Sequence, residues 1–367
     1  MKITAAVLRQ LAQPFSIEDV ELDEPRDDEV LVRLVATGVC HTDLGYRDRW
    51  TGPLPVVFGH EGAGVVERVG QRVSRVAPGD HVVLTFLSCG DCANCVRGLP
   101  SYCLHFLARN LGCTRPDGST SLRQDDQTVY GRFFGQSSFA TYALAAERNT
   151  VKVRRDVPLD LLGPLGCGIQ TGAGAVLNAL RPRVGRSIVV FGTGSVGLSA
   201  IMAAVVAGCT TIIAVDLRPS RLALAREFGA THQIAASDAD VGEAIRSLTA
   251  GGADFALDTT SRPEVIRLAV DALQMTGTCG VIGADPPVPE LTLTYRSVLV
   301  GRTIRGILEG DSTPELFIPT LIDLYLQGRF PFDRLIAFYP FAQINEAAAA
   351  SERGEVVKPV LRMDAAG

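Results

Sequence analysis

From Ser187 to Val215 the chain carries no charged residue. A run that long and apolar either crosses a bilayer or lies inside a parallel sheet covered on both faces. The order of residues favours the second. SIVVF is a short β-branched run, GTGSVG is a turn, LSAIMAAVVAG has the make-up of a helix, and TTIIAVD is a second strand. The stretch is therefore read as the strand–turn–helix–strand core of a soluble α/β domain, with no membrane partner.

The turn itself fits G-x-G-x-x-G. Gly192 permits the tight bend, Gly194 lets a pyrophosphate approach the backbone, and Gly197 lets the helix pack against the strand. Ser195, Val196 and Gly197 open the helix, whose unpaired N–H groups and positive dipole end face the phosphates. The second strand ends at Asp216, about 20 residues beyond the glycines, where a carboxylate accepts the ribose 2′-OH. That charge repels a 2′-phosphate, so NAD is expected over NADP, although Arg218 and Arg221 just beyond would soften the repulsion. RPSRLALAREFGA then reads as a helix capped at Ser220, and FALD (255–258) and GVIGA (280–284) continue the sheet. The fold class expected is α/β, with a doubly wound parallel sheet of the Rossmann kind.

The remaining length needs a second domain, since 367 residues exceed one comfortable core. A formal net charge of -5 without a basic block gives no track for a phosphate backbone, so nucleic acid is not an expected partner. The start, MKITAAVLRQ, alternates like a first strand and has no apolar signal segment, which points to a cytoplasmic, reducing location.

In that setting clustered cysteines read as metal ligands. Cys89, Cys92, Cys95 and Cys103 are spaced C-x2-C-x2-C-x7-C. Four thiolates close a tetrahedron around Zn²⁺ and leave no position for substrate, so this site is read as structural. An iron–sulfur cluster is the main rival, but the run lacks the ferredoxin order of spacings. A second set is dispersed over GVCHTD, GHEGAG and GPLGCGIQTG. Cys40, His60 and Cys167 would supply two thiolates and an imidazole, leaving a fourth position open for an oxygen. Each alone would pass for a buried core residue; the combination carries the reading.

The stretch GHEGAGVVERVGQRV resembles the signature of the zinc-containing alcohol dehydrogenases of the medium-chain superfamily. The order of cysteine ligand, GHE, four-cysteine loop, third ligand and GTGSVG is similar to that family from end to end. LVRLVATGVCHTD, FFGQSSFATYAL and QGRFPFDRLI look closest to its aryl-alcohol (benzyl alcohol) branch. The resemblance implies a GroES-like β-barrel catalytic domain over 1–168, a Rossmann NAD-binding domain inserted at 169–308, and a return to the first domain over 309–367. It also implies two Zn²⁺ and one NAD per subunit, a homodimer or homotetramer, and reversible NAD⁺-linked oxidation of an aromatic primary alcohol to its aldehyde.

Roles follow residue by residue. Thr42 resembles the hydroxyl that contacts the substrate oxygen, Asp43 orients the His60 ring, and Glu61 coordinates when the metal shifts. Thr42 and Asp43 also suit a plain helix start. His41 stands where many relatives have arginine, and would still donate to the pyrophosphate. Gly45 stands where some place a relay histidine, so the proton path must end in water. Lys358 matches a basic pyrophosphate contact. Trp50, Phe86, Phe133 and Phe134 fall in segments that line the substrate cleft of the family, and an apolar aromatic wall without fixed charge suits an uncharged planar alcohol. Alternatives are a monoterpenoid or allylic alcohol (geraniol or perillyl alcohol type), a thiol-adduct formaldehyde dehydrogenase, for which a basic cluster is lacking, and a non-catalytic relative, which would have no use for an open zinc site.

Overall fold

A computed structural model of the chain describes residues 1–237, 240–283 and 290–363. It divides into two compact units. One comprises Met1–Gly168, Thr313–Leu321 and Asp333–Gly367, and the other Ile169–Ser312 with Ile322–Phe332.

In the second unit, six strands run in chain order Ser187–Phe191, Thr211–Asp216, His232–Ala235, Ala253–Asp258, Leu273–Ile282 and Thr303–Ile307. They lie side by side in the order 3-2-1-4-5-6. Every neighbouring pair is parallel. That order reverses direction beside the first strand, the switch point at which such sheets take their ligands. The first strand is buried at every residue, which explains its uninterrupted apolar run. Two details differ from the sequence reading. The helix after Asp216 is Pro219–Glu227, so Pro219 and not Ser220 begins it; proline's fixed φ and missing N–H suit the first helical position. The strand read as GVIGA closes at Ile282, and Ala284 lies outside the described residues.

The boundaries also differ from 169–308 and 309–367. Residues 309–312 stay with the inserted unit because the Ser312 hydroxyl donates to Gln170 Oε1 at 2.9 Å and the Thr171 hydroxyl to Glu309 at 3.4 Å. Ile322–Phe332 joins it too. Ile322, Phe330 and Phe332 are fully buried, and the Tyr325 and Phe332 rings meet at 4.9 Å. An apolar run so late in the chain carries no mark of which unit covers it.

The first unit holds a five-stranded and a seven-stranded sheet. Its centre is the strand Glu29–Gly38, paired antiparallel with Gly62–Val69, Tyr142–Ala146 and Lys358–Arg362. Register shifts near Leu31 and Leu34 bend it, as bulges do. Among the described residues no helix is long and apolar enough to cross a membrane.

Candidate metal and nucleotide sites

The antiparallel pairings gather the dispersed motifs at one end of the seven-stranded sheet. Thr37 opposes Gly62, and Gly38 opposes Val360. The chain leaving Gly38 therefore delivers Cys40, the chain entering Gly62 delivers His60 and Glu61, and the last strand begins at Lys358 beside them. Cys167 arrives from the turn before it, tied down where the Thr85 hydroxyl donates to the Gly166 carbonyl at 2.7 Å. One donor atom each of Cys40, His60, Glu61 and Cys167 lies within 4.8 Å of the other three.

These residues fit a metal. The His60 Nδ1–H donates to Asp43 Oδ1 at 2.9 Å, which leaves Nε2 as an acceptor. That Nε2 is fully buried and has no hydrogen-bond partner. A buried orphan nitrogen beside two thiols is explained by an ion that completes it. A hydrogen bond with Cys167 holds the Cys40 thiol well below its ordinary range against the effect of burial, helped by the positive charge of Lys358. Asp43 does two jobs, although not as the N-cap that a plain helix start would make of it, since Cys40 holds that position and Asp43 is the third helical residue. Its Oδ2 accepts from the Cys40 N–H at 2.9 Å at the start of the helix His41–Arg49, while Oδ1 also accepts from the Gly59 N–H at 3.2 Å. Thr42 lies with its hydroxyl 3.7 Å from the Cys40 sulfur, and His41 is exposed.

Sequence reasoning missed Gln136. Its amide accepts from the Gly62 N–H at 3.2 Å and donates to the His60 carbonyl at 3.0 Å, clamping the segment that carries His60 and Glu61. A lone glutamine in FFGQSSFA gives no spacing signal. Lys358 is a correction. Its side chain is buried and its ammonium donates to both Glu61 oxygens, at 2.8 and 3.0 Å, so the basic contact to pyrophosphate gives way to an internal ion pair.

The four-cysteine loop is a cage. Cys89 and Cys95 sulfurs are 3.8 Å apart, and those of Cys92 and Cys103 4.0 Å. Disulfide sulfurs would sit near 2.05 Å. Sulfurs at about 2.3 Å from a central Zn²⁺ lie ~3.8 Å apart on a tetrahedron's edges. Backbone N–H groups of Cys92, Leu104 and His105 point at Cys89, Cys92 and Cys103 sulfurs, at 3.3 to 3.4 Å. N–H donors of Cys95 and Leu104 bring the Cys92 thiol down to about 6, whereas burial pushes the Cys89 thiol up to about 12.

In the inserted unit Gly192 has φ +84°, and a Cβ on Gly197 would sit 1.9 Å from the Gly192 carbonyl oxygen, so neither position accepts a side chain. A Cβ on Gly194 would meet only open space, the approach a pyrophosphate needs. Ser195 and Val196 begin the helix Ser195–Ala207. Asp216 ends its strand at the glycine turn, where Oδ2 accepts from both the N–H and the hydroxyl of Thr193 at 2.7 Å, and Oδ1 from the Arg218 N–H at 2.9 Å. The acid anchors the turn. Arg221 is largely buried, yet close enough to Asp216 to feel its charge.

The four aromatics form one chain of rings around His60. Phe134 stacks on the imidazole at 4.5 Å and 26°, and Phe133 meets its edge at 5.7 Å. Trp50 packs on Phe133 at 6.3 Å, while its indole N–H donates to the Pro53 carbonyl. Phe86 joins through Phe106, which lies 5.9 Å from Phe86 and 6.3 Å from Phe134. All four, Trp50, Phe86, Phe133 and Phe134, belong to the buried core of this unit, and no ionised side chain enters the ring contacts named here.

Comparison with known proteins gives the class. Residues 26–155 match the alcohol dehydrogenase GroES-like domain, and residues 195–326 the zinc-binding dehydrogenase domain. The chain is 49% identical to a geraniol dehydrogenase of Castellaniella defragrans over 97% of its own length and 96% of that protein's. A zinc-binding-domain alcohol dehydrogenase protein of Burkholderia ambifaria superposes with a TM-score of 0.98 at 56% identity, covering 100% of both chains. The benzyl alcohol dehydrogenase of Acinetobacter calcoaceticus superposes with a TM-score of 0.96 at 47% identity, covering 99% of both. The chain belongs to the zinc-containing medium-chain alcohol dehydrogenases, with a GroES-like domain and an NAD-binding Rossmann domain. Its two cysteine clusters fit the structural and the catalytic zinc.

Proposed function

We propose that this alcohol dehydrogenase oxidises aromatic primary alcohols of the benzyl type to aldehydes with NAD⁺, reversibly. The observation that carries the proposal is the uncharged aromatic group built on a metal ligand, with Phe134 stacked on His60 at 4.5 Å. Planar faces gain from such walls, and a charged substrate would find no partner among them. Bound zinc supplies a Lewis acid at the alcohol oxygen, and NAD⁺ accepts the hydride. The chain's own residues do the rest. Cys40, His60 and Cys167 hold the ion, Asp43 fixes the His60 tautomer, and the Thr42 hydroxyl takes over the alcohol proton. With Gly45 three residues further along the helix, that proton leaves through water. A cytoplasmic homodimer or homotetramer belongs to the same proposal.

The likeness to a geraniol dehydrogenase favours a second reading, in which the walls accept a flexible allylic chain. Values of kcat/KM over benzylic, terpenoid and short aliphatic alcohols separate the two. Benzyl alcohol is expected to lead the panel, and a lead for geraniol would replace the first reading by the second.

Cofactor choice is expected to rest on Asp216. Asp216→Asn keeps an oxygen for Thr193, so the glycine turn survives, but removes the acceptor for the Arg218 N–H and the charge that repels a 2′-phosphate. Weakening hydrogen bonds to a charged acceptor costs on the order of 1.5–3 kcal/mol. The ratio of kcat/KM for NAD to that for NADP should fall by at least about tenfold, which is about 1.4 kcal/mol. An unchanged ratio would leave Asp216 as an anchor of the turn alone. Asp216→Ser should do worse with both cofactors, because Thr193 loses its acceptor as well.

A further inference from the structure

Lysine is almost never fully buried unless it is paired. Lys358 is 1% exposed, and its ammonium reaches the Val39 carbonyl at 3.4 Å as well as the two oxygens of Glu61, itself 0% exposed. The fold has made room for this pair. A Cβ on Gly38 would lie 1.9 Å from Glu61 Oε2, so only glycine at the end of the central strand leaves the carboxylate its slot. On the other side the Gly168 N–H, one residue past Cys167, points at Oε1 at 3.3 Å.

Glu61 is nevertheless within reach of the metal position, since one of its oxygens lies within 4.8 Å of the donor atoms of Cys40, His60 and Cys167. A buried carboxylate must be neutralised by a nearby cation, or the desolvation cost goes uncompensated. Two cations are available to it here, the Lys358 ammonium and the metal. The charges divide cleanly. Two thiolates balance a dication, and Glu61 and Lys358 balance each other.

We propose that Lys358 is a positioning residue that holds Glu61 off the metal, so that the Cys40–His60–Cys167 set keeps its fourth position free for substrate. The proposal rests on the zinc reading of that set. Without the ammonium, the metal is the cation left for Glu61 to neutralise. Its carboxylate then turns to the metal and closes the open position. A single buried side chain thereby separates an open catalytic centre from a closed one.

The test replaces zinc by cobalt(II) and reads the visible absorption, which reports donor set and geometry independently of turnover. The four-thiolate site contributes equally to every variant and cancels in difference spectra. Lys358→Met should shift and weaken the bands of the three-donor site and lower kcat/KM for the alcohol by at least about tenfold. Lys358→Arg keeps the charge and should keep the wild-type bands. The double variant Lys358→Met/Glu61→Gln should restore them, because the intruding carboxylate is gone. Wild-type bands in Lys358→Met overturn the proposal, and so does a double variant that retains the shifted spectrum. Should Lys358→Met fail to fold, Lys358→Gln, which keeps a donor but no charge, takes its place with the same outcomes. A wild-type chain that takes up cobalt only at the four-thiolate site sinks the zinc reading and this inference with it. Uptake at both sites with no shift in the variant sinks this inference alone.

Discussion

Cys40→Ser is expected to abolish nearly all turnover and to lower zinc from two ions per chain to one, while the fold stays intact. The two halves of that expectation have separate causes. Serine's hydroxyl is not ionised at neutral pH, so the site loses a thiolate from a set of three. Changes one layer further out already cost roughly 10- to 100-fold in metal affinity, and loss of a ligand must exceed that. The fold should not notice. Cys40 flanks the helix His41–Arg49 at its N-terminal end, a position where serine is among the preferred residues and cysteine is not. Its backbone N–H still donates to Asp43, which still holds His60. The four-cysteine cage shares no ligand with this site. Zinc content and thermal melting, measured beside activity, check both halves. Wild-type activity with one zinc per chain would remove Cys40 from the ligand set, and a collapsed melting curve would show that the metal there supports the fold.

What could be read in advance depended on whether a residue's job is local. The glycine turn, the strand before it and Asp216 form one contiguous unit, and spacing alone predicts their arrangement. The four-cysteine loop is equally local, because its ligands lie within a few turns of chain. Cys40, His60 and Cys167 are far apart in sequence, so residue type suggested them and strand pairing brings them together. Lys358 shows where this fails. A lysine near the end of a chain reads as a surface cation, and nothing around it announces that its strand pairs with Glu29–Gly38 and turns it onto Glu61. Thr193 and Arg221 were hidden for the same reason. Whether a hydroxyl anchors Asp216, or a guanidinium is buried, depends on neighbours supplied by another strand or helix. The second domain boundary was hidden because burial of Ile322, Phe330 and Phe332 needs only an apolar surface, and either unit offers one.

Cys95→Ser is expected to act on stability where Cys40→Ser acts on chemistry. The lobe around the four cysteines has little regular structure, chiefly the short helices Ala93–Val96 and Phe106–Leu111. It also turns several apolar side chains outward. Val96, Leu104 and Leu107 are each at least two-thirds exposed, at 74%, 67% and 70%. Side chains that point to solvent cannot hold a loop, so beyond Phe106 and the Asn110 hydrogen bonds to Leu87 the metal must. Structural zinc binds zinc-finger peptides with an apparent ~10–16 kcal/mol, against a total stability of roughly 5–15 kcal/mol for a whole domain. Losing even part of that term should lower Tm by at least about 5 °C. Zinc should fall to one ion per chain, with the remaining ion at the Cys40–His60–Cys167 set. Chains that stay folded in the cold should still turn over alcohol, since no group of the cage touches that set. Cys113 is the internal control, a buried thiol near the lobe that burial pushes up to about 12 and that stands outside both ligand sets. Cys113→Ser should leave the zinc count at two. If Cys95→Ser instead melts like the wild type with two zinc ions bound, the cage is not a metal site, and the outward-facing lobe must be held by contacts with something other than zinc.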